Sequence, residues 1–162
     1  MPPYIWIGLG GTTVLVVSTY YAFLEQVPFT NRRRWIATSA AWEQRLGDQE
    51  YQRMLREFRG QILPPDHRAS ATVRRVGQRL AEASQTFCQA HSLPDTHYTK
   101  PYTYTIVRSD TANAFVIPGN HVFVMTGLFQ YIKDEDDLAA VLGHETAHNL
   151  ARHAGEKISG VS

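Results

Sequence analysis

Residues 137–148 read Asp-Leu-Ala-Ala-Val-Leu-Gly-His-Glu-Thr-Ala-His, with Asp134-Glu135-Asp136 immediately before them. Leu138 to Leu142 is an apolar run of good helix formers. Aspartates at its start can accept hydrogen bonds from free backbone N–H groups and complement the positive end of a helix dipole. The pattern predicts a long helix from this acidic turn to about Lys157, a base suited to the negative end. Two histidines four residues apart on such a helix lie one turn apart on the same face.

That spacing carries chemistry. The imidazoles of His144 and His148 can meet one Zn²⁺, and Glu145 between them can act as general base on a zinc-activated water. Zinc would lower the pKa of that water and polarise a scissile carbonyl. The plain alternative is a pair of surface histidines on an ordinary helix, and a chance match arises in roughly one chain in a hundred. The helical setting behind a capped acidic turn favours the metal site.

Working outward, the preceding stretch reads as β structure. Tyr102-Thr-Tyr-Thr-Ile-Val107 is rich in aromatic and β-branched residues. Ala114–Ile117 and Val122–Met125 flank Pro118-Gly119-Asn120-His121, a connection that suits a hairpin. His121 could line a cleft there, but an exposed turn residue is the plainer expectation. Gly127 closes the β section. Before it come two predicted helices, about Trp35 to Ile62 and then one after Pro64-Pro65, capped by Asp66. Ile36, Trp42, Leu46, Met54, Leu55 and Phe58 are the apolar positions of the first. Val73, Val76, Leu80, Ala83 and Phe87 form the stripe of the second.

The amino terminus adds 20 uncharged residues from Ile5 to Leu24. At about 1.5 Å per residue that run matches a bilayer's hydrocarbon thickness, with Trp6, Tyr20 and Tyr21 placed as interfacial aromatics. Residues 1–25 are therefore expected to form a single-pass transmembrane helix rather than a buried helix or signal peptide. Residues 26–34 follow as a basic linker, and 35–162 as the main domain. The positive-inside rule puts the Arg32-Arg33-Arg34 side on the cytoplasmic or matrix face. A formal charge of +1 excludes nucleic acid as the main partner, and one cysteine, Cys88, excludes an internal disulfide framework.

A peptidase zinc site needs a third protein ligand. The extended motif would require glycine at 151 and histidine at 154, where the chain has Ala151 and Ala154. His153 is one residue out of register and can equally face solvent. Glu156, the sole acid after His148, would sit about 12 Å along a continuing helix. On this reading the chain lacks a recognisable third ligand.

Asn113-Ala-Phe-Val-Ile-Pro-Gly-Asn-His-Val-Phe-Val-Met-Thr-Gly-Leu-Phe129 and the 137–148 helix, in this order, resemble the signatures of the membrane-associated gluzincin metallopeptidases. That group includes the prenyl-protein endopeptidases and a bacterial heat-shock membrane protease. Pro28-Phe-Thr-Asn-Arg-Arg-Arg34 is similar to a passage of its mitochondrial inner-membrane branch. The resemblance covers about residues 28–158 and implies an enzyme: a membrane-anchored zinc endopeptidase of protein quality control. It implies one Zn²⁺ per chain on His144 and His148, with Glu145 as catalytic base. It also implies a strand, Asn113, Ala114, Phe115 and Val116, bordering the substrate cleft, and a catalytic domain in the intermembrane space.

The expectation is thus an α+β chain: transmembrane helix, helices, a small β-sheet with a hairpin, and a zincin helix, incomplete at its C-terminus. Its partners would be protein or peptide substrates and the lipid bilayer, with a homo-oligomer left open. The alternative is an inactive, truncated metallopeptidase-like module that binds proteins without cutting them.

Overall fold

The computed structural model describes residues 18, 24–26, 33–35, 39–90 and 100–150. Two short strands, β1 (Leu24–Gln26) and β2 (Arg33–Trp35), pair antiparallel. Helix α1 (Ala40–Glu57) and helix α2 (Arg68–Ala90) follow. Then come strands β3 (Thr103–Val107), β4 (Ala114–Ile117) and β5 (His121–Met125), a 3₁₀ segment over Thr126–Gln130, and helix α3 (Glu135–Leu150).

The N-terminal part of the expected architecture is corrected. Among the described residues no helix is long and apolar enough to cross a membrane. Leu24, the last residue of the uncharged run, opens a strand whose backbone partner is Trp35. Backbone pairing with Trp35 thus claims the end of the run that length and hydropathy alone assign to a helix. The rest of that run, apart from Ser18, lies outside the described residues, as do His153 and Glu156.

Strand order in the main sheet is β3-β5-β4, with β5 parallel to β3 and antiparallel to β4. Every residue of β5 is buried, because helices cover both faces. Period-2 alternation divides its side chains between them. Val122 and Val124 join Ile106, Ala114, Val73, Val76, Leu138 and Leu142 beneath α2 and α3. Phe123 and Met125 join Val107, against Tyr51, Met54 and Phe58 of the α1 side. Phe123 is fully buried and meets Tyr51, Phe58 and Phe115.

At the start of the first helix two of the large apolar residues do not turn inward. Glu43 and Gly47 are buried, whereas Trp42 and Leu46 are each 42% exposed. The cause lies at Gly47, where a β-carbon would fall 1.9 Å from the carbonyl oxygen of Pro118. Only glycine lets α1 approach the hairpin so closely. Ser39 caps this helix, its hydroxyl accepting from the Trp42 N–H at 3.2 Å.

Candidate active site on helix α3

The amino end of α3 is built as the aspartates predict. Asp134 Oδ1 accepts from the N–H groups of Asp136 and Asp137, and Asp137 reciprocates by accepting from the Lys133 N–H at 2.9 Å. Arg75 of α2 pairs with Glu135 across the helix–helix contact. Leu138, Leu142, Thr146 and Leu150 are buried, recurring every four residues. That stripe seats α3 on α2 and on β4, leaving His144 and His148 exposed and Glu145 half-buried.

The two histidines converge. Their Nε2 atoms stand 2.9 Å apart, with rings edge-on at 83°. Two imidazoles on one tetrahedral zinc, each at 2.0–2.1 Å, would hold their nitrogens about 3.3 Å apart. The observed contact is close to that spacing, so a small ring adjustment would suit the pair to an ion. Among the described residues no group of three or more His, Cys, Asp or Glu gathers around a common point. The donor set among the described residues is this pair, of the right chemistry for zinc.

Next to α3 runs β4, the edge of the sheet among the described residues. The Met125 N–H donates to the Asn113 carbonyl at 2.9 Å, so 113↔125 is a hydrogen-bonded pair. By antiparallel alternation so are 115↔123 and 117↔121 in the observed register. Phe115 and Ile117 therefore spend their backbone groups on β5. Ala114 and Val116 direct theirs to the open edge, while their side chains pack into the core beside α3. Asn113 itself is exposed, just before the strand.

His121 departs from its expected place in an exposed turn. It is the first residue of β5, 6% exposed, stacked on Tyr51 with ring centroids 4.0 Å apart. Its Nε2–H donates to Asp48 Oδ1 at 2.7 Å, because a carboxylate can only accept, and in the neutral ring Nδ1 accepts from the Thr103 hydroxyl at 2.7 Å. Burial lowers its pKa, aided by the Lys100 charge and opposed by Asp48. Burial pushes the Asp48 carboxyl up, but hydrogen bonds from Lys100 and His121 outweigh it and leave it below the usual value. A second polar contact also escaped the sequence: Asn149 Nδ2 donates to Asn120 Oδ1 at 2.8 Å, tying α3 to the hairpin turn. Asp48 is 73 residues from His121 and Asn149 is 29 from Asn120, so no local pattern announces either contact. The one available signal was Gly119-Asn120, a pair suited to positive φ.

A His-Glu-x-x-His helix laid along the edge of a small mixed sheet is the arrangement of a metallopeptidase catalytic domain. Residues 68–162 match the family described as Peptidase family M48. The chain belongs to that family, which works with a bound metal. Among curated relatives, it is 39% identical over 140 residues to the mitochondrial metalloendopeptidase OMA1 of Schizosaccharomyces pombe. That match covers 86% of this chain and 38% of the relative. The protein of the same name in Saccharomyces cerevisiae is 34% identical, over 86% of this chain and 41% of its own length. Human mitochondrial metalloendopeptidase OMA1 is 29% identical, over 94% and 28%. The chain thus spans well under half the length of these relatives.

Proposed function

We propose that this chain carries the ligand-bearing helix and substrate edge of a zinc metalloendopeptidase that cleaves membrane or membrane-adjacent proteins in mitochondria, at the inner membrane. Residues 35–162 are assigned to that peptidase domain. The observation that carries the reading is the convergence of His144 and His148 Nε2 atoms at 2.9 Å on a helix packed along β4. The mitochondrial setting follows the names of the relatives.

His144 and His148 would hold the ion, one per chain, with a third ligand supplied from outside the described residues. Zinc, when bound, supplies Lewis acidity toward the scissile carbonyl and makes water a competent nucleophile at neutral pH. Glu145 takes the proton from the attacking water and returns it to the leaving amine. The outward N–H and C=O groups of Ala114 and Val116 pair with an extended substrate backbone as an added strand, with Asn113 and Phe115 completing the segment.

The test is zinc content and proteolysis of the purified chain beside His144→Ala, His148→Ala and Glu145→Gln. The reading expects about one zinc per chain, lost in either histidine variant. It expects Glu145→Gln to retain zinc while cleavage falls by about 10²–10⁴-fold. Zinc bound without any cleavage would favour a protein-binding module instead. No zinc in the parent chain would remove the metal site from these residues.

A further inference from the structure

Three elements grip the turn between β4 and β5. From one side α1 presses Gly47 against Pro118. From the second, β3 gives its Thr103 N–H to the Asn120 carbonyl at 2.9 Å. From the third, α3 reaches over with Asn149. Asn120 is 5% exposed and its side chain is spoken for on both ends. Its Nδ2 donates to the Lys100 carbonyl at 2.6 Å, and its Oδ1 accepts from Asn149 at 2.8 Å. Its φ of 63° lies in the left-handed region, which asparagine and glycine tolerate better than other residues.

The position of this contact matters more than its strength. Asn149 directly follows His148, so its side chain anchors the turn of α3 that carries the second histidine. Asn120 is three residues past Ile117, where β4 ends. The far end of α3 is already fixed by the Asp134 cap and by Arg75. Asn149 supplies a tie at the near end, between the histidine-bearing turn and the loop that continues the edge strand.

We propose that Asn120 and Asn149 are paired positioning residues: their side-chain hydrogen bond sets the height of Glu145 and His148 along β4. The inference rests on the peptidase reading above, since it assigns β4 to the substrate. Neither asparagine is assigned a contact with substrate or metal. They act by fixing two elements whose relative displacement by about 1 Å would cost up to about 10²-fold in rate.

Two variants separate the strut from general stability. Asn120→Gly keeps the positive φ and removes the side chain. Asn149→Ala removes the other partner and improves helix propensity. Thermal unfolding midpoints are measured for both and for the double variant, a readout that requires neither cleavage nor metal. The double variant is expected to lose clearly less than the two single losses combined. Turnover is then measured with zinc-loaded protein well below the midpoints. Each single variant is expected to lower kcat about tenfold, with KM and zinc content unchanged.

Additive midpoints would overturn the strut. Coupled midpoints with unchanged kcat would overturn the positioning role, leaving a merely structural bond. Absence of cleavage by the zinc-loaded parent chain would overturn the peptidase reading and the positioning role with it, while the midpoint comparison would still judge the strut.

Discussion

Gly47 of α1 lies against Pro118 so tightly that a β-carbon there would meet the proline's carbonyl oxygen at 1.9 Å and its carbonyl carbon at 2.5 Å. Backbone meets backbone at this point, and no flexible side chain is available to move aside. Gly47→Ala must therefore push α1 off the hairpin turn. The expected loss is about 1–3 kcal/mol of unfolding free energy, read by denaturant titration. A variant as stable as the parent would show that the helix can shift without consequence.

Removing the aromatic centre of the sheet should cost more. Phe123 is fully buried between Tyr51, Phe58 and Phe115. Phe123→Ala is expected to lose about 3–5 kcal/mol, the range for truncating a core aromatic. A loss below about 1 kcal/mol in the same titration would mean that the α1 side collapses onto the gap.

Acid should weaken the fold in two stages. His121, faced by Asp48 and Tyr51 of α1, Thr103 of β3 and Lys100, has its pKa held below 6.5. As pH falls through 6.5 the unfolded chain takes up this proton first, so His121 contributes a loss of stability from there down to its folded-state value. Asp48 has the opposite charge and the same sign of effect. Its pKa, lowered from the ordinary 3.8, stabilises the fold above that value, and the contribution is lost as pH falls from there through the folded-state value. Melting midpoints across pH 3 to 8 should show the first stage, which begins as pH falls below 6.5, diminished in His121→Gln. An unchanged profile in that variant would assign the acid sensitivity elsewhere.

The two backbone rows of β4 should respond differently to proline. Val116 aims its N–H at the open edge, whereas Phe115 gives its N–H to β5. Val116→Pro should leave the fold intact, at a cost of about 1–2 kcal/mol for lost packing. It should reduce cleavage of an extended peptide by at least about tenfold. Phe115→Pro should cost about 3 kcal/mol or more and disrupt the hairpin. Full activity in Val116→Pro, measured on the same peptide, would remove this edge from substrate binding.

What was readable in the sequence was local. The α3 helix announced itself through Asp134, the Leu138/Leu142 stripe and its histidine spacing. The hairpin was set by two β-rich runs around Pro118-Gly119. Contacts between distant segments were not readable. Trp42 and Leu46 were visible as apolar positions of α1, but not that both stay 42% exposed while Gly47, pressed against Pro118, is buried. Asp66 looked like the cap of α2, yet His67 takes that place, its Nδ1 accepting from the Ala69 N–H at 3.2 Å. His121 looked solvent-facing because its partner, Asp48, belongs to another helix. The convergence of His144 and His148 followed from helical periodicity, whereas the Asn149 tie depended on where the hairpin happens to pass.

An exposed edge that can accept a guest strand can also accept another copy of itself. The outward N–H and C=O groups of Ala114 and Val116 form a template for self-association, a hazard that proteins limit by keeping such edges short or interrupting them. Here β4 is four residues long and is followed at once by Pro118, which has no N–H to extend a ladder. The same brevity would limit zipping between copies of this chain and hold any guest strand to a footprint of a few residues.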